Sequence, residues 1–256
     1  MIELPLMTLI TSLLTIGVRI TGLMLFAPFF GSAVIPARIK AIFVFATTLL
    51  LFPTVGHRID PHVLSNWPML VFTEFLIGAG IGIATNIVFE GIQLTGQLLG
   101  VQMGYSLINI LDPQTQVDTT VVAAFYQSIV MLLFLQMNVH LWLLAALGKS
   151  FSYLPPGSGH LNAIFTTAVV KTVGEIFGLG VQIAAPVLAA TLAADVVLGI
   201  LGKASPQMPL IVLGPAVKSL LGITILIATL KYWPDLFRRL FTDAVASGEH
   251  LFHLAS

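Results

Sequence analysis

The sequence predicts an all-α integral membrane protein with about six hydrophobic, partly kinked helical segments. Its composition is the first reason: 57% of the 256 residues are hydrophobic and 9% are charged, whereas about a quarter of the residues of a soluble domain are charged. The second is a mean hydropathy of +1.00. The third is a series of apolar runs close to the ~20 residues that cross a bilayer as a helix. A chain this apolar cannot cover its surface with polar groups, so part of that surface needs lipid or partner protein around it.

Six apolar stretches carry this prediction. They are Leu6–Phe30, Ile39–Val55, Met69–Gly100, Val121–Leu147, Ala163–Leu201 and Met208–Leu230. The second is short for a full span, and we expect the third and fifth, which are too long for one straight span, to be tilted helices or bent pairs. Residues 231–256 follow as a tail. Because Lys and Arg give only a weak bias toward a cytoplasmic tail, we expect some helices to form hairpins inside an assembly.

Composition and motifs exclude several classes of function. Lys and Arg together equal Asp and Glu, at 11 each, and zero net charge argues against a nucleic-acid partner. The absence of cysteine removes disulfides and thiolate metal sites. The sequence contains no zinc-protease, serine-hydrolase, phosphate-loop or dinucleotide motif, and its histidines form no metal-ligand pair on a predicted helix. We therefore predict no enzymatic activity, no cofactor and no metal.

Apart from Lys40 at the start of the second stretch, seven charged residues lie within the apolar stretches, where a charge is costly unless it is paired, buried in protein or part of a pathway. They are Arg19, Glu74, Glu90, Lys171, Glu175, Asp195 and Lys218. Three basic residues nearly balance four acidic ones, which favours mutual pairing over a chain of proton-relay carboxylates. Lys171 and Glu175 are four residues apart and can pair along one helix. The rival interpretation is an ion-coupled transporter that uses Glu74, Glu90 and Asp195.

The third stretch combines polar residues with regularly spaced glycines. Asn86, Glu90, Gln93 and Gln97 share one helical face, and Gly96, Gly100 and Gly104 recur at every fourth position on an adjoining face. Small residues at this spacing let two helix backbones approach closely. We therefore predict that Gly96 and Gly100 pack against another helix; a polar pore lining is the alternative that the same pattern allows.

The loop Gly104–Thr120 differs from the stretches on either side. It contains Asp112 and Asp118 but no Lys or Arg, and Asp112-Pro113 is typical of a turn. It also contains an aliphatic cluster, which consists of Leu107, Ile108, Ile110 and Leu111. A loop with its own apolar cluster is expected to pack into another part of an assembly; an amphipathic interfacial turn is the alternative.

Four groups of residues, taken in their order and spacing, make the sequence resemble a known family. They are Arg19-x-x-Gly22, Ala27-Pro28-x-x-Gly31 and Ile35-Pro36-x-Arg38-x-Lys40; Glu74-x-x-Ile77-Gly78-x-x-x-Gly82, Gly96, Gln102-Met103-Gly104 and Asp112-Pro113; Leu133-Phe134-Leu135, Asn138-x-His140 and Ser150-Phe151-x-x-Leu154-Pro155; and Ala185-Pro186-Val187, Leu198-Gly199-Ile200-Leu201, Pro206-Gln207, Gly214-Pro215 and Lys218. The family is FliR, whose counterpart in virulence secretion is SctT. The Gln-Met-Gly, Asp-Pro and Asn-x-His elements fit the flagellar branch better.

The resemblance implies a non-enzymatic subunit of the flagellar type III protein export gate, in the bacterial inner membrane at the flagellar basal body. It implies FliP-like and FliQ-like partner subunits, contacts with FlhB-like and FlhA-like export components, and surrounding lipid. It further implies one domain over residues 1–256, with a FliP-like N-terminal part, a FliQ-like C-terminal part and bent helices that wind into a helical assembly. An export gate of the injectisome is the alternative with the same mechanism.

The resemblance also gives the loop Gly104–Thr120 a role. It implies that this loop is a plug in a closed pore that passes unfolded flagellar proteins. Leu107 and Ile110 stand where the family often has phenylalanine, and Glu90 stands where a small apolar residue is expected. The aliphatic replacements keep the loop hydrophobic, so the predicted plug retains the property that it needs.

Overall fold

Helices form the regular structure of the computed structural model, which describes residues 3–55, 67–105, 120–158, 163–205, 207 and 209–254. In this part of the chain the helices are α1 (Glu3–Phe26), α2 (Ala37–Val55), α3 (Trp67–Gln102), α4 (Val121–Gln136), α5 (Val139–Tyr153), α6 (Ala163–Ala204), α7 (Leu210–Leu230) and α8 (Trp233–Leu254). Five of them are long and apolar enough to cross a membrane, and α4 and α5 together can form a sixth span. The predicted all-α membrane class with about six segments is confirmed.

The two over-long stretches are continuous helices, and a shorter one is broken instead. α3 has 36 residues and α6 has 42, with Pro186 inside α6. The predicted stretch Val121–Leu147 is divided into α4 and α5, which are bent by 61°. Asn138 lies at this break with a φ of 57°, a left-handed conformation that asparagine adopts more readily than most residues. The break was not anticipated from the apolar pattern.

The segment 231–256, which we expected to be a tail, is helical from Trp233 to Leu254. Trp233, Phe237 and Phe241 recur at every fourth position and are buried. Charged residues such as Asp235 and Arg239 are exposed. α8 is therefore an amphipathic helix that packs one face onto the rest of the chain.

Packing divides the chain into two compact units. The first contains residues 1–88, 134–174 and 240–256, and the second contains residues 89–133 and 175–239. The core of the first unit includes Ile16, Ile20, Leu23, Ile77, Ile81, Leu143 and Phe151. The core of the second includes Ile92, Leu99, Ala123, Tyr126, Val130 and Trp233. This division describes packing within one chain, and the FliP-like and FliQ-like parts stay predictions.

The helices differ greatly in how much of their surface the chain itself covers. In the candidate spans, 72% of α3 is buried, against 11% of α2 and 17% each of α6 and α7. The exposed faces of the last three helices are apolar, with side chains such as Leu50 and Leu220 reaching 76% and 70% exposure. Surfaces of this kind require lipid or other protein against them.

Candidate functional site

A buried ion pair lies inside the first unit. Arg19 Nε on α1 donates to Glu74 Oε2 on α3 at 2.6 Å, and neither side chain is exposed at all. Two charges removed from solvent are tolerated only where each finds good partners. Glu74 Oε1 accepts a second hydrogen bond, at 2.8 Å, from the backbone N–H of Gly157. Both carboxylate oxygens are therefore used.

The remaining contacts of Arg19 come from the end of α5. Arg19 Nη1 donates to Ser150 Oγ at 3.2 Å and to the carbonyl oxygen of Leu154 at 3.0 Å. The guanidinium carbon lies 4.3 Å from the centre of the Phe151 ring, a cation–π arrangement that stabilises a desolvated cation. Nη2 has no hydrogen-bond partner among the described residues. We call Arg19, Glu74, Ser150, Phe151, Leu154 and Gly157 the Arg19 cluster.

Close approach of α1 and α3 brings the ion pair together. A Cβ on Gly22 would overlap the carbonyl oxygen of Phe75, and one on Gly78 would overlap that of Arg19. Glycine at both positions lets the two backbones come into contact. The short Glu74 side chain can then reach the guanidinium of Arg19 within the core.

The Arg19 cluster is assembled from three of the sequence groups that carry the family resemblance. Arg19 and Gly22 come from the first, Glu74 and Gly78 from the second, and Ser150-Phe151-x-x-Leu154 from the third. Because removal of one partner of a buried pair leaves an uncompensated charge, such a pair fixes the relative position of the elements that supply it. The cluster therefore joins α1, α3 and the end of α5.

A second charged cluster lies in the second unit, around Asp195 on α6. Lys218 Nζ on α7 lies 3.0 Å from Asp195 Oδ1, and Gln102 Nε2 at the end of α3 donates to Asp195 Oδ2 at 2.9 Å. The side chains of Lys218 and Asp195 are 17% and 42% exposed in the single chain. Ser219 Oγ donates to the carbonyl oxygen of Met103 at 3.2 Å and connects α7 to the same end of α3.

These pairs favour the structural interpretation of the charges in the apolar stretches. Two of the three carboxylates that a transporter would use, Glu74 and Asp195, each form an ion pair with a basic side chain of the same chain. Glu90, Lys171 and Glu175 are exposed in the single chain. Lys171 and Glu175 form no ion pair with each other there, so the burial and pairing predicted for them are not found within this chain.

Gly96 and Gly100 lie at a close contact between α3 and the beginning of α4. A Cβ on Gly96 would overlap the backbone of Ala123, and one on Gly100 would lie 2.5 Å from Thr120 Cγ2. Thr120 Oγ1 donates to the carbonyl oxygen of Gly96 at 3.0 Å and accepts the backbone N–H of Ala123 at 3.2 Å, which caps α4. Further along the same helices, Gln127 Nε2 donates to Gln93 Oε1 at 3.0 Å.

This contact between α3 and α4, which we call the seam, also holds both ends of the loop 104–120. Gly104 ends α3 with a φ of 87°, a conformation in which glycine commonly ends helices. The backbone N–H of Tyr105 donates to the carbonyl oxygen of Gly100 at 2.9 Å, and Thr120 lies against the same glycine. The predicted plug residues Leu107, Ile108, Ile110, Leu111, Asp112 and Pro113 lie outside the described residues.

Comparison with known proteins places the chain among bacterial export proteins. The family model described as "Bacterial export proteins, family 1" matches residues 10–244. The flagellar biosynthetic protein FliR of Bacillus subtilis is 26% identical over 96% of each chain. FliR of Escherichia coli is 28% identical over 88% of this chain and 86% of its own. FliR of Pectobacterium carotovorum is 30% identical over 88% and 87%.

Proposed function

Because the chain belongs to the FliR family of bacterial export proteins, we propose that it is a non-enzymatic subunit of the flagellar type III protein export gate. In this role it helps to form and close the channel that passes unfolded flagellar proteins during flagellum assembly. The match over residues 10–244 carries the proposal. The chain is a multi-pass membrane protein of the flagellar apparatus, and we place it in the inner membrane at the basal body.

The proposal includes FliP-like and FliQ-like subunits as direct partners, with FlhB-like and FlhA-like components in contact with the assembly. The surface of the single chain supports partners of this kind. α6 carries the exposed charges Lys171 and Glu175 within a largely apolar helix, and charges at membrane depth normally face protein rather than lipid. The apolar face of α7 offers further contact area.

The partners can be tested by purification. We expect the chain to be degraded or to aggregate when expressed alone, and to form a complex of defined mass when expressed with FliP-like and FliQ-like subunits from the same organism. Its intramembrane charges and exposed apolar helices need partners for stability. A monodisperse, protease-resistant monomer in mild detergent contradicts the assembly. Co-purification with virulence-system rather than flagellar components would identify an injectisome gate instead.

For the loop 104–120 we propose the role of a plug that closes the resting pore. Tyr105 and Thr120, at its two ends, both lie against Gly100, so the loop leaves α3 and reaches α4 at the same place on the seam. An aliphatic cluster in a narrow channel excludes water and blocks ions by dewetting. The lack of basic residues in the loop suits a plug that withdraws without breaking strong ion pairs.

Removal of Leu107–Leu111 is expected to make the assembled gate conduct ions at rest. Ion conductance is measured in planar bilayers or vesicles that contain equal amounts of the intact or the shortened complex. The amounts must be equal because conductance also rises with the number of pores. Replacement of the polar residues Gln114–Gln116 by serine serves as the control and is expected to leave conductance low. Equal, low conductance in all three complexes places the seal in another subunit.

A further inference from the structure

A groove of about 670 Å³ runs between α1 and α2 in the first unit. Its walls are apolar and include Ile10, Leu13, Leu14, Leu25, Val44 and Phe45. The hydroxyls of Thr21 and Thr48, which also line it, donate to the carbonyl oxygens four residues earlier in their own helices, at 2.7 Å each. Among the described residues that line the groove, Lys40 has the one charged side chain. The groove thus combines an apolar channel with a single cation.

Lys40 has no acidic partner in the part of the chain that the structure describes. Its ammonium donates one hydrogen bond, at 3.0 Å, to the carbonyl oxygen of Gly31, and the residue is half-buried. An ammonium carries three donors, so two remain for another acceptor. Arg38, two residues earlier on the same helix, is exposed and does not line the groove.

The length of the groove matches one leaflet of a bilayer. On α2 the lining runs from Ala37 to Thr48, which at ~1.5 Å per residue spans about 16 Å. Half of a ~30 Å hydrocarbon core is about 15 Å. Lys40 lies in the first turn of α2, where a spanning helix meets the polar interface. The cation is therefore placed at headgroup depth and the apolar walls at the depth of the acyl chains.

We propose that this groove binds an anionic phospholipid, with one acyl chain between α1 and α2 and the phosphate on Lys40. Charge complementarity favours this occupant over an apolar helix of another subunit, which would offer the ammonium of Lys40 no anionic acceptor unless it carried a carboxylate. α2 is the least buried of the candidate spans, so the chain itself leaves this face open to a lipid. The bound lipid covers apolar surface that the chain leaves uncovered.

Native mass spectrometry of the detergent-extracted complex, titrated with phosphatidylglycerol or phosphatidylethanolamine, tests the proposal. The wild type is expected to retain phosphatidylglycerol preferentially. Lys40→Gln is expected to reduce that retention about fivefold, which is the factor in affinity that one lysine contributes near anionic lipid. Lys40→Arg is expected to preserve it. Ala41→Phe fills the groove and is expected to remove both lipids. The controls are Arg38→Gln, which removes a nearby charge, and Ala46→Phe, which adds the same ring to an exposed position outside the groove.

Three results overturn the proposal. One is equal retention of the two lipids by the wild type, and another is an equal loss from Lys40→Gln and Arg38→Gln, which indicates general attraction to the interface. The third is cross-linking of a photoreactive residue at position 41 to a protein subunit rather than to lipid, which identifies a helix as the occupant. If neither phenylalanine variant assembles, the comparison of Lys40→Gln with Arg38→Gln decides.

Discussion

Replacement of Glu74 by glutamine is expected to abolish recovery of the chain in the assembled membrane complex. The substitution leaves the guanidinium of Arg19 fully buried without a counter-charge. Loss of one partner of a buried pair costs about 3–5 kcal/mol, a large part of the ~5–15 kcal/mol by which a typical domain is stable. The measurements are the amount of full-length chain in the membrane fraction and the yield of complex.

Two further variants separate charge from hydrogen bonding. Glu249→Gln makes the same change in the exposed pair with Lys149, whose side chains are 34% and 62% exposed at 3.5 Å separation, and is expected to be nearly silent because exposed pairs contribute little. The double variant Arg19→Met with Glu74→Gln removes both charges and is expected to recover part of the complex. If it is recovered no better than Glu74→Gln alone, lost hydrogen bonds rather than an uncompensated charge explain the defect.

The sequence predicted the helical class and most helix boundaries because these depend on local apolar content. It also identified Arg19, Glu74, Asp195 and Lys218 as charges that need partners. It could not join Arg19 to Glu74, which is 55 residues away, because that pairing depends on the contact between α1 and α3. Gly22 and Gly78 permit the contact; Gly22 was visible only as an element of the family resemblance, and Gly78 also as one of the regularly placed small residues of the third stretch.

Two local signals were present and were not used. Asn138 lies within an apolar stretch, where a residue that tolerates a left-handed conformation marks a place where a helix can break. The four-residue spacing of Trp233, Phe237 and Phe241 indicates an amphipathic helix. A hydropathy criterion misses this spacing because α8 as a whole is more polar than the candidate spans. Hydropathy identifies spans well and interfacial or packed helices poorly.

The other partners of Arg19 show a different limit of prediction from the sequence. Ser150 and the carbonyl oxygen of Leu154 are polar groups at the end of α5. A backbone carbonyl has no signature in the sequence, and a serine at a helix end is expected to cap it or face water. Their role becomes evident only when three distant segments are placed together.

Substitutions in the seam between α3 and α4 are the second change from which we expect a large loss of complex. Alanine at Gly96 or Gly100 ordinarily stabilises a helix interior by up to ~1 kcal/mol, yet either substitution is expected to reduce the yield of complex severely. The added Cβ of Gly96→Ala overlaps the backbone of Ala123, and that of Gly100→Ala lies within 2.8 Å of three side-chain atoms of Thr120. Gly199→Ala is the control, because an added Cβ there meets nothing within 4 Å. Gly199→Ala is expected to assemble normally. A loss of complex yield that occurs only in the seam variants is then explained by steric overlap.

The two seam positions are expected to differ in their rescue, and this difference tests the geometry directly. The obstacle at Gly100 is the side chain of Thr120, so Thr120→Gly is expected to restore much of the assembly of Gly100→Ala, less about 1 kcal/mol for the lost cap of α4. At Gly96 the nearest atom is the backbone Cα of Ala123, which Ala123→Gly does not remove, so no rescue is expected there. Complex yield from the four variants, measured by size-exclusion chromatography after equal expression, distinguishes the cases. Rescue at both positions, or at neither, contradicts the predicted contact, because the helices would then be free to move apart or would be held by other residues.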